Sequence, residues 1–379
     1  MFDIPFLRPN LVKKETYLPY LEQIEASRIY SNYGPLNGLF EERVRDRLFG
    51  GTGGAVTMHN ATVGLMLAID QSRRPGGEFA IMPSFTFAAT PLAAKWCGLT
   101  PYYLDIEPDT WQLDRARLVE AVDRLGDRVA VVVPYAPFGT AIDLAPYKAL
   151  QRRGIPVVVD AAASFGTTEP GTGAHFGQGF DGSVVFSFHA TKSFGVGEGG
   201  LVYSANPVLA RRVRQAGNFG FSGARESVLR GLNGKMSEYA AAIALATLDA
   251  YPAKQAARRG LLGLYAKLLA EAGLFADGWA MQRLAGGVAP QFIPVLAPEG
   301  RRGQDVVAAL ARRSIEARTY FSPACHQQPQ FRDDPRGALD VTERVASRIV
   351  SLPLWEEMDE AVVRAVVEAL RGMGGETAS

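Results

Sequence analysis

Short apolar runs alternate with longer amphipathic stretches along the chain from about residue 55 onward. The runs have the length of strands, and the stretches between them have the period of helices. Six runs are predicted as strands: residues 79–82, 101–105, 129–133, 156–160, 183–188 and 200–204. The alternation predicts an α/β fold built around a largely parallel sheet.

Four helices are predicted between these strands: residues 62–69, 86–96, 114–124 and 143–152. Several strand segments, among them AVVVP, PVVVD and SVVFSF, are apolar on both faces. Parallel strands show this pattern when helices cover both sides of the sheet. Ligands of such folds bind at the carboxyl ends of the strands, so polar residues that follow these strands are the candidates for chemistry.

The alternation weakens in the last third of the chain. Residues 236–272 are rich in Ala and Leu and are predicted as a helix that breaks near Pro252, because proline removes a helical hydrogen bond. Four shorter elements follow: a strand at 291–295, a helix at 306–313, a strand at 351–354 and a helix at 359–371. We therefore expect a large domain over residues 1–250, a small α+β domain over 251–379, and a frayed tail at 372–379.

Charge is balanced, with 40 basic against 39 acidic residues and a formal net charge of +1 on 379 residues. Nucleic acids and anionic membranes attract proteins through excess positive charge, so neither is an expected partner. Cys97 and Cys325 are too few for a disulfide framework. With no visible signal segment and no long apolar run, the sequence predicts a cytoplasmic protein, and it predicts no metal site.

One lysine lies in an unusual setting. Lys192 is one of eight lysines, and it occupies a polar turn within VVFSFHATKSFGVGEGGLVY, residues 184–203. Most lysines are solvated surface residues, but this turn lies between apolar strands and is followed by glycines that allow backbone to approach a ligand closely. A desolvated lysine can lose its proton and form a Schiff base with an aldehyde. The setting indicates pyridoxal 5'-phosphate (PLP) as cofactor.

A PLP site also needs an acid at the pyridine nitrogen and a flat group against the ring. Asp160 ends the apolar strand IPVVVD and is the candidate acid. A helix cap for the segment that follows is an equally supported role for this residue. The segment PSFTFAAT offers Phe85 and Phe87 next to a strand end, where one aromatic face can stack on the pyridine ring.

Donors for the cofactor phosphate are expected in HNATVGL, residues 59–65. Asn60, Ala61 and Thr62 lie at the start of a predicted helix, where free backbone amides and the helix dipole favour an anion. An ordinary capped helix explains the same residues. Ser187, five residues before the lysine, can add a hydroxyl donor.

Together these segments resemble the DegT/DnrJ/EryC1/StrS family, the sugar aminotransferases among the fold type I PLP enzymes. The resemblance extends from about residue 32 to residue 370 and depends on the order and spacing of many segments. They are YGPLNGLFEERV, NATVGL, PSFTFAAT, GLTPYYLDIEPDTWQLD, VVVDAAASFG, FSFHATKSFGVGEGGLV, GLNGKMSEYAAAIAL and SLPLW. The resemblance implies a large domain whose mostly parallel mixed sheet lies between helices, plus a small C-terminal α+β domain.

The resemblance assigns roles to the matching residues one by one. Lys192 matches the lysine that binds the cofactor covalently and then moves protons, and Asp160 matches the acid at the pyridine nitrogen. Phe87 matches the aromatic ring that stacks on the cofactor. Three residues match the phosphate contacts, with Asn60 beside them: Ala61, Thr62 and Ser187.

Other matching residues concern the second subunit and the substrate. Asn233, in GLNGKMSE, matches an asparagine that reaches the cofactor phosphate of the neighbouring subunit, which implies a homodimer with shared active sites. Tyr320 and His326, in TYFSPACH, match a segment that lines the sugar side of the site, and His189 is a further candidate there. Packing roles are equally supported by the sequence for these three residues.

One position departs from the family pattern. Many relatives have glutamine or histidine three residues after the aspartate, near the phenolic oxygen of the cofactor. This chain has Ala163, whose side chain can donate nothing, so either Ser164 or water substitutes, or the electronic tuning of the bound cofactor differs.

The implied reaction moves an amino group from an amino acid, most often L-glutamate, to a keto carbon of a nucleotide-linked sugar. The GLNGKMSE and FHATK segments are most similar to members that act at C4 of dTDP-4-keto-6-deoxyglucose. The alternatives are amination at C3, a different PLP chemistry such as desulfuration with Cys325 as nucleophile, and a non-catalytic regulatory member. The sequence leaves the sugar configuration, the nucleotide and the pathway open.

Overall fold

The computed structural model describes residues 2–223 and 225–373. Residues 374–379, most of the tail expected to fray, lie outside the described residues. A central sheet uses seven strands: β1 (Gly54–Met58), β2 (Phe79–Pro83), β3 (Thr100–Leu104), β4 (Val129–Val132), β5 (Val158–Asp160), β6 (Ser183–Ser187) and β7 (Gly200–Ser204).

The strands lie in the order β3-β2-β4 and β5-β6-β7-β1. Parallel pairing of Val132 with Val157, and of Tyr135 with Asp160, joins β4 to β5. Among these seven strands, β7 runs in the direction opposite to the other six, since it pairs antiparallel with both β6 and β1 while the other pairs are parallel. The mostly parallel mixed sheet is confirmed, and it brings the carboxyl ends of β2, β4, β5 and β6 to one edge.

Seven helices accompany these strands: α1 (Lys14–Ser27), α2 (Pro35–Phe49), α3 (Ala61–Ser72), α4 (Ala89–Trp96), α5 (Arg115–Leu125), α6 (Ala145–Arg152) and α7 (Pro207–Ala216). Alternate residues of a strand enter opposite cores. Val184 packs in the core with α2, α5 and α6, whereas Val185 packs with α3, α4 and α7. Both faces of the sheet are therefore buried, which is why its strands are apolar throughout.

The helix α8 (Glu238–Glu271) runs past Pro252 without a break. The predicted break was wrong. Proline removes one hydrogen bond and strains the turn before it, but the residues on either side are anchored, since Tyr251 is 3% and Gln255 9% exposed. Tertiary packing outweighs the local cost.

A second, antiparallel sheet follows α8 in the order β10-β9-β8. Its elements are β8 (Ala280–Met281), β9 (Ile293–Leu296) and β10 (Ile349–Leu352), with α9 (Gly303–Ala311), α10 (Asp340–Arg348) and α11 (Glu360–Arg371). In residues 2–223 and 225–373, none of the helices has both the length and the apolar character needed to cross a membrane.

The predicted domain boundary between residues 250 and 251 falls inside α8. The first residues of the chain bind the C-terminal part, since Ile4 N donates to Ser314 O at 3.1 Å and Glu316 N donates to Ile4 O at 2.9 Å. The division into residues 1–250 and 251–379 stays a prediction.

Candidate active site

The carboxyl edge of the central sheet brings the predicted site residues together. Asp160 ends β5 and Ser187 ends the adjacent β6. Ser187 lies opposite Gly200, the first residue of β7. The loop from β6 to β7 carries Lys192, so the acid, the lysine and a phosphate-binding candidate share one edge.

Asp160 is 2% exposed. Its Oδ2 accepts from Thr90 Oγ1 at 2.5 Å, and its Oδ1 accepts from Ala162 N at 3.1 Å. Burial raises the pKa of this carboxyl group, while the two hydrogen bonds and the nearby Lys192 act to lower the pKa. No helix begins directly after Asp160 among the described residues, so the helix-cap alternative is wrong and the carboxylate caps only a turn.

Lys192 is not a solvated surface lysine. Its Nζ donates to Gln291 Oε1 at 3.0 Å. Burial lowers the pKa of Lys192 to about 8, and the carboxylate of Asp160 opposes that change. A larger share of the amine is therefore neutral near pH 8 than in an exposed lysine, which is what a nucleophile or a base requires.

Aromatic packing anchors the loop that carries Lys192 on both sides of the lysine. Phe194 contacts Phe165 and Phe188 with ring centroids 4.6 and 4.8 Å apart. A Cβ atom at Gly195 would lie 2.7 Å from the Ala190 carbonyl oxygen, so this position needs glycine. The lysine therefore extends from a loop whose path is fixed by buried contacts.

The start of α3 fits an anionic group. Asn60 Oδ1 accepts from Val63 N at 2.9 Å, which is the helix cap that the sequence allowed. The N–H groups of Ala61 and Thr62 lie in the first turn, where no carbonyl of the helix can accept from them. A Cβ atom at Gly200 would lie 2.8 Å from Ala61 N, so glycine keeps these donors accessible next to Ser187.

The structure separates the two candidate aromatic residues. Phe85 is 0% exposed and packs edge-on against Trp111 at 6.1 Å, whereas Phe87 is 57% exposed. The ring centroid of Phe87 lies 6.2 Å from that of Phe321, and the two rings are tilted by 48°. Phe87 therefore has a free face for a flat ligand, and Phe85 belongs to the core.

Two of the substrate-side candidates make internal contacts. His326 is 5% exposed, and its ring nitrogens contact Ser84 Oγ at 2.7 Å and Glu343 Oε1 at 3.2 Å. Burial lowers the pKa of His326. Tyr320 stacks on Phe292 with centroids 5.4 Å apart. These are the packing contacts that the alternative role requires, and contact of either residue with a sugar stays a prediction.

The remaining candidates face outward. His189 Nδ1 contacts Thr191 Oγ1 at 2.8 Å, and the His189 side chain is 45% exposed. Asn233 is exposed, and the adjacent Gly234 carbonyl accepts from His59 N at 2.7 Å at the end of β1. The role of Asn233 toward a second subunit stays a prediction.

Three residues of the site were missed by the sequence analysis: Thr90, Gln291 and Phe321. Thr90 is a hydroxyl residue inside the quoted segment PSFTFAAT, so a partner for Asp160 could have been sought there. Phe321 stands beside Tyr320 in TYFSPACH. Gln291 begins the strand predicted at residues 291–295, but nothing in that pattern marks its side chain as a partner of Lys192.

Cys325 does not fit a nucleophilic role. It is 0% exposed, its Sγ donates to Thr86 O at 3.3 Å, and burial raises the pKa of the thiol to about 12. The thiolate is the reactive form of cysteine, so the geometry gives no support to desulfuration by this residue.

Comparisons with known proteins match nearly the whole chain. A model of the DegT/DnrJ/EryC1/StrS aminotransferase family matches residues 12–371. A protein from Bacillus cereus ATCC 10987, assigned as a PLP-dependent aminotransferase, is 48% identical over 97% of this chain and 99% of its own, with a TM-score of 0.95.

Two further matches carry sugar-related names. The structure of DesI in the presence of its TDP-sugar product is 35% identical over 98% of this chain and 94% of its own, with a TM-score of 0.86. The dTDP-4-amino-4,6-dideoxy-D-glucose transaminase of Escherichia coli is 27% identical over 97% of this chain and 98% of its own.

Proposed function

The chain belongs to the DegT/DnrJ/EryC1/StrS aminotransferase family, and we propose that it moves an amino group from L-glutamate to C4 of dTDP-4-keto-6-deoxyglucose. The names of the Escherichia coli transaminase and of the DesI product complex support a thymidine-diphosphate sugar. Amination at C3 is the alternative that the experiment below must distinguish.

The cofactor is PLP, which when bound supplies an electron sink for the substrate carbon that loses a proton. One observation carries the proposal: the Lys192 amine, hydrogen-bonded to the buried Gln291, shares a sheet edge with the buried Asp160, and burial lowers the pKa of the amine to about 8. The first turn of α3, opened by Gly200, fits a phosphate group.

Lys192 Nζ has two tasks in this proposal. It would attach the cofactor covalently, and when free it would take the proton from the amino acid Cα and return a proton in the second half-reaction. A pKa of about 8 suits both directions of proton transfer, because a base works best when its pKa is near the operating pH.

The other residues of the site would orient and hold the cofactor. Asp160, fixed by Thr90 and Ala162, would keep a proton on the pyridine nitrogen. The amides of Ala61 and Thr62 would bind the phosphate together with Ser187 and with Asn60, whose cap orients the first turn. Phe87, which has an exposed face, would stack on the ring.

The substrate side is proposed to include Tyr320, His326 and His189. We also propose a homodimer, in which Asn233 of one subunit completes the phosphate site of the other. One exposed aromatic residue lies beside Asn233: Phe219 is 42% exposed, and its backbone N donates to the Leu232 carbonyl at 3.1 Å. An exposed apolar side chain at this place is compatible with a surface for a second subunit.

The test supplies glutamate together with either dTDP-4-keto-6-deoxyglucose or its 3-keto isomer, and identifies the amino sugar by mass spectrometry and NMR. A product aminated at C4 supports the proposal, and a product aminated at C3 supports the alternative. Conversion of glutamate to 2-oxoglutarate with neither sugar aminated would show that the proposed acceptor sugar is wrong. Absence of that conversion would favour a non-catalytic member. Lys192→Ala is the control.

A further inference from the structure

The buried amide of Gln291 contacts the loop that carries Lys192. Lys192 Nζ donates to Gln291 Oε1 at 3.0 Å, and Gln291 Nε2 donates to Thr191 Oγ1 at 3.1 Å. Gln291 is 7% exposed, so water competes little for either bond. One side chain thus holds two consecutive residues of the loop.

The backbone of Gln291 is held as well. Arg258, on α8, donates from Nη1 to the carbonyl oxygens of Pro290 at 2.9 Å and of Gln291 at 3.2 Å. Its Nε donates to Glu356 Oε1 at 2.9 Å, and Arg258 itself is 4% exposed. Charge-assisted hydrogen bonds of this kind add geometric specificity. They fix the backbone from which the Gln291 side chain extends.

In the described part of the chain, Gln291 is the side chain that accepts a hydrogen bond from Lys192 Nζ. Asp160 acts on the amine as a nearby charge.

We propose that Gln291 is a positioning residue that holds the Lys192 amine in place whenever the amine carries no covalent partner. An amide oxygen accepts from an ammonium and from a neutral amine, and the bond to the ammonium is the stronger one because it is charge-assisted. The nitrogen is thereby kept in one place while it gains and loses a proton. The inference rests on the proposed function, because only the proposed reaction requires Lys192 to take up and return a proton.

The test measures the pKa of Lys192 in the apoprotein by competitive labelling with acetic anhydride, followed by mass spectrometry of the Lys192 peptide. Gln291→Leu removes the acceptor and is expected to lower the pKa of Lys192 by about one unit, whereas Gln291→Glu is expected to raise it. In the holoenzyme, Gln291→Leu should lower kcat about tenfold with little change in KM for glutamate.

The matched control is Gln282→Leu, because Gln282 is 5% exposed and donates to Thr110 O at 2.8 Å, a partner outside the lysine loop. It should leave the pKa of Lys192 unchanged. Equal pKa values in the wild type and both Gln291 variants would overturn the inference, as would a kcat unaffected by Gln291→Leu. The labelling needs no sugar, so failure of the proposed substrate would leave its result intact.

Discussion

Thr90 Oγ1 donates a hydrogen bond of 2.5 Å to Asp160 Oδ2, so a residue of α4 fixes the carboxylate that ends β5. The carboxylate is buried, and burial raises its pKa. The hydroxyl therefore stabilises the charged form, which the proposed pairing with a protonated pyridine nitrogen requires.

Thr90→Val should weaken PLP binding by about tenfold or more, equivalent to about 1.4 kcal/mol. The isosteric change removes one donor and raises the pKa of Asp160 further. More of the carboxyl group is then neutral at low pH, so the loss should be larger near pH 6 than near pH 8. Titration of the apoprotein with PLP at both pH values measures this.

The control for that variant is Thr167→Val, since Thr167 donates to Gly139 O at 2.7 Å in another buried site. Thr167→Val should change the stability of the protein, but it should not show the larger loss of PLP affinity near pH 6 that is expected for Thr90→Val. Equal PLP affinity of Thr90→Val and the wild type at both pH values would count against the role of Asp160.

Gly200→Ala should reduce PLP affinity at least about tenfold. The added Cβ would lie 2.8 Å from Ala61 N, so the first turn of α3 must move away from the proposed phosphate position. Gly38→Ala is the control, because a Cβ at Gly38 meets nothing within 4 Å. If both variants bind PLP like the wild type, the phosphate does not bind at this turn.

Lysine 192 should make the stability of the apoprotein depend on pH. Its folded pKa of about 8 lies below the ordinary value of 10.5, so the unfolded chain binds more protons between these values. The resulting penalty on folding is full below pH 8 and is relieved as the pH rises toward 10.5.

Lys192→Met removes that penalty. The variant should therefore have a higher free energy of unfolding than the wild type. This gain should be larger near pH 7 than near pH 10 by roughly 2 kcal/mol. Urea denaturation of both apoproteins measures the difference. A difference that does not vary with pH would show that Lys192 is solvated.

Mixing two inactive variants tests the shared active sites. If Asn233 serves the neighbouring subunit, a heterodimer of Lys192→Ala and Asn233→Ala chains contains one site with both native residues. Activity should therefore return on mixing after subunit exchange. If the two residues serve the same subunit, both sites of the heterodimer are damaged and no activity returns.

Much of the fold could be predicted because its strands are locally readable. The runs that became β2 to β7 are apolar on both faces, and the structure places them within about two residues of the prediction. In contrast, α2 depends on distant partners: Glu238 Oε2 accepts from Leu36 N at 2.7 Å, and Glu238 Oε1 accepts from Asn37 N at 3.0 Å. Such a cap has no local signal.

The candidate site likewise contains some residues with a local sequence signal and others without one. Lys192, Asp160 and the start of α3 stand at strand ends or at a helix start, where sequence patterns indicate function. Gln291 approaches Lys192 across 99 residues of sequence, and its place depends on the packing of α8 against the second sheet. A single sequence carries no information on that pairing.

Covalent attachment of PLP to Lys192 can be measured by incubating the apoprotein with PLP, reducing with borohydride and analysing the peptides by mass spectrometry, with Lys192→Ala treated in parallel. We expect a pyridoxyl phosphate adduct on the Lys192 peptide alone in the wild type and none in the variant. An adduct on another lysine, or equal labelling of wild type and variant, would show that Lys192 is not the residue that binds the cofactor.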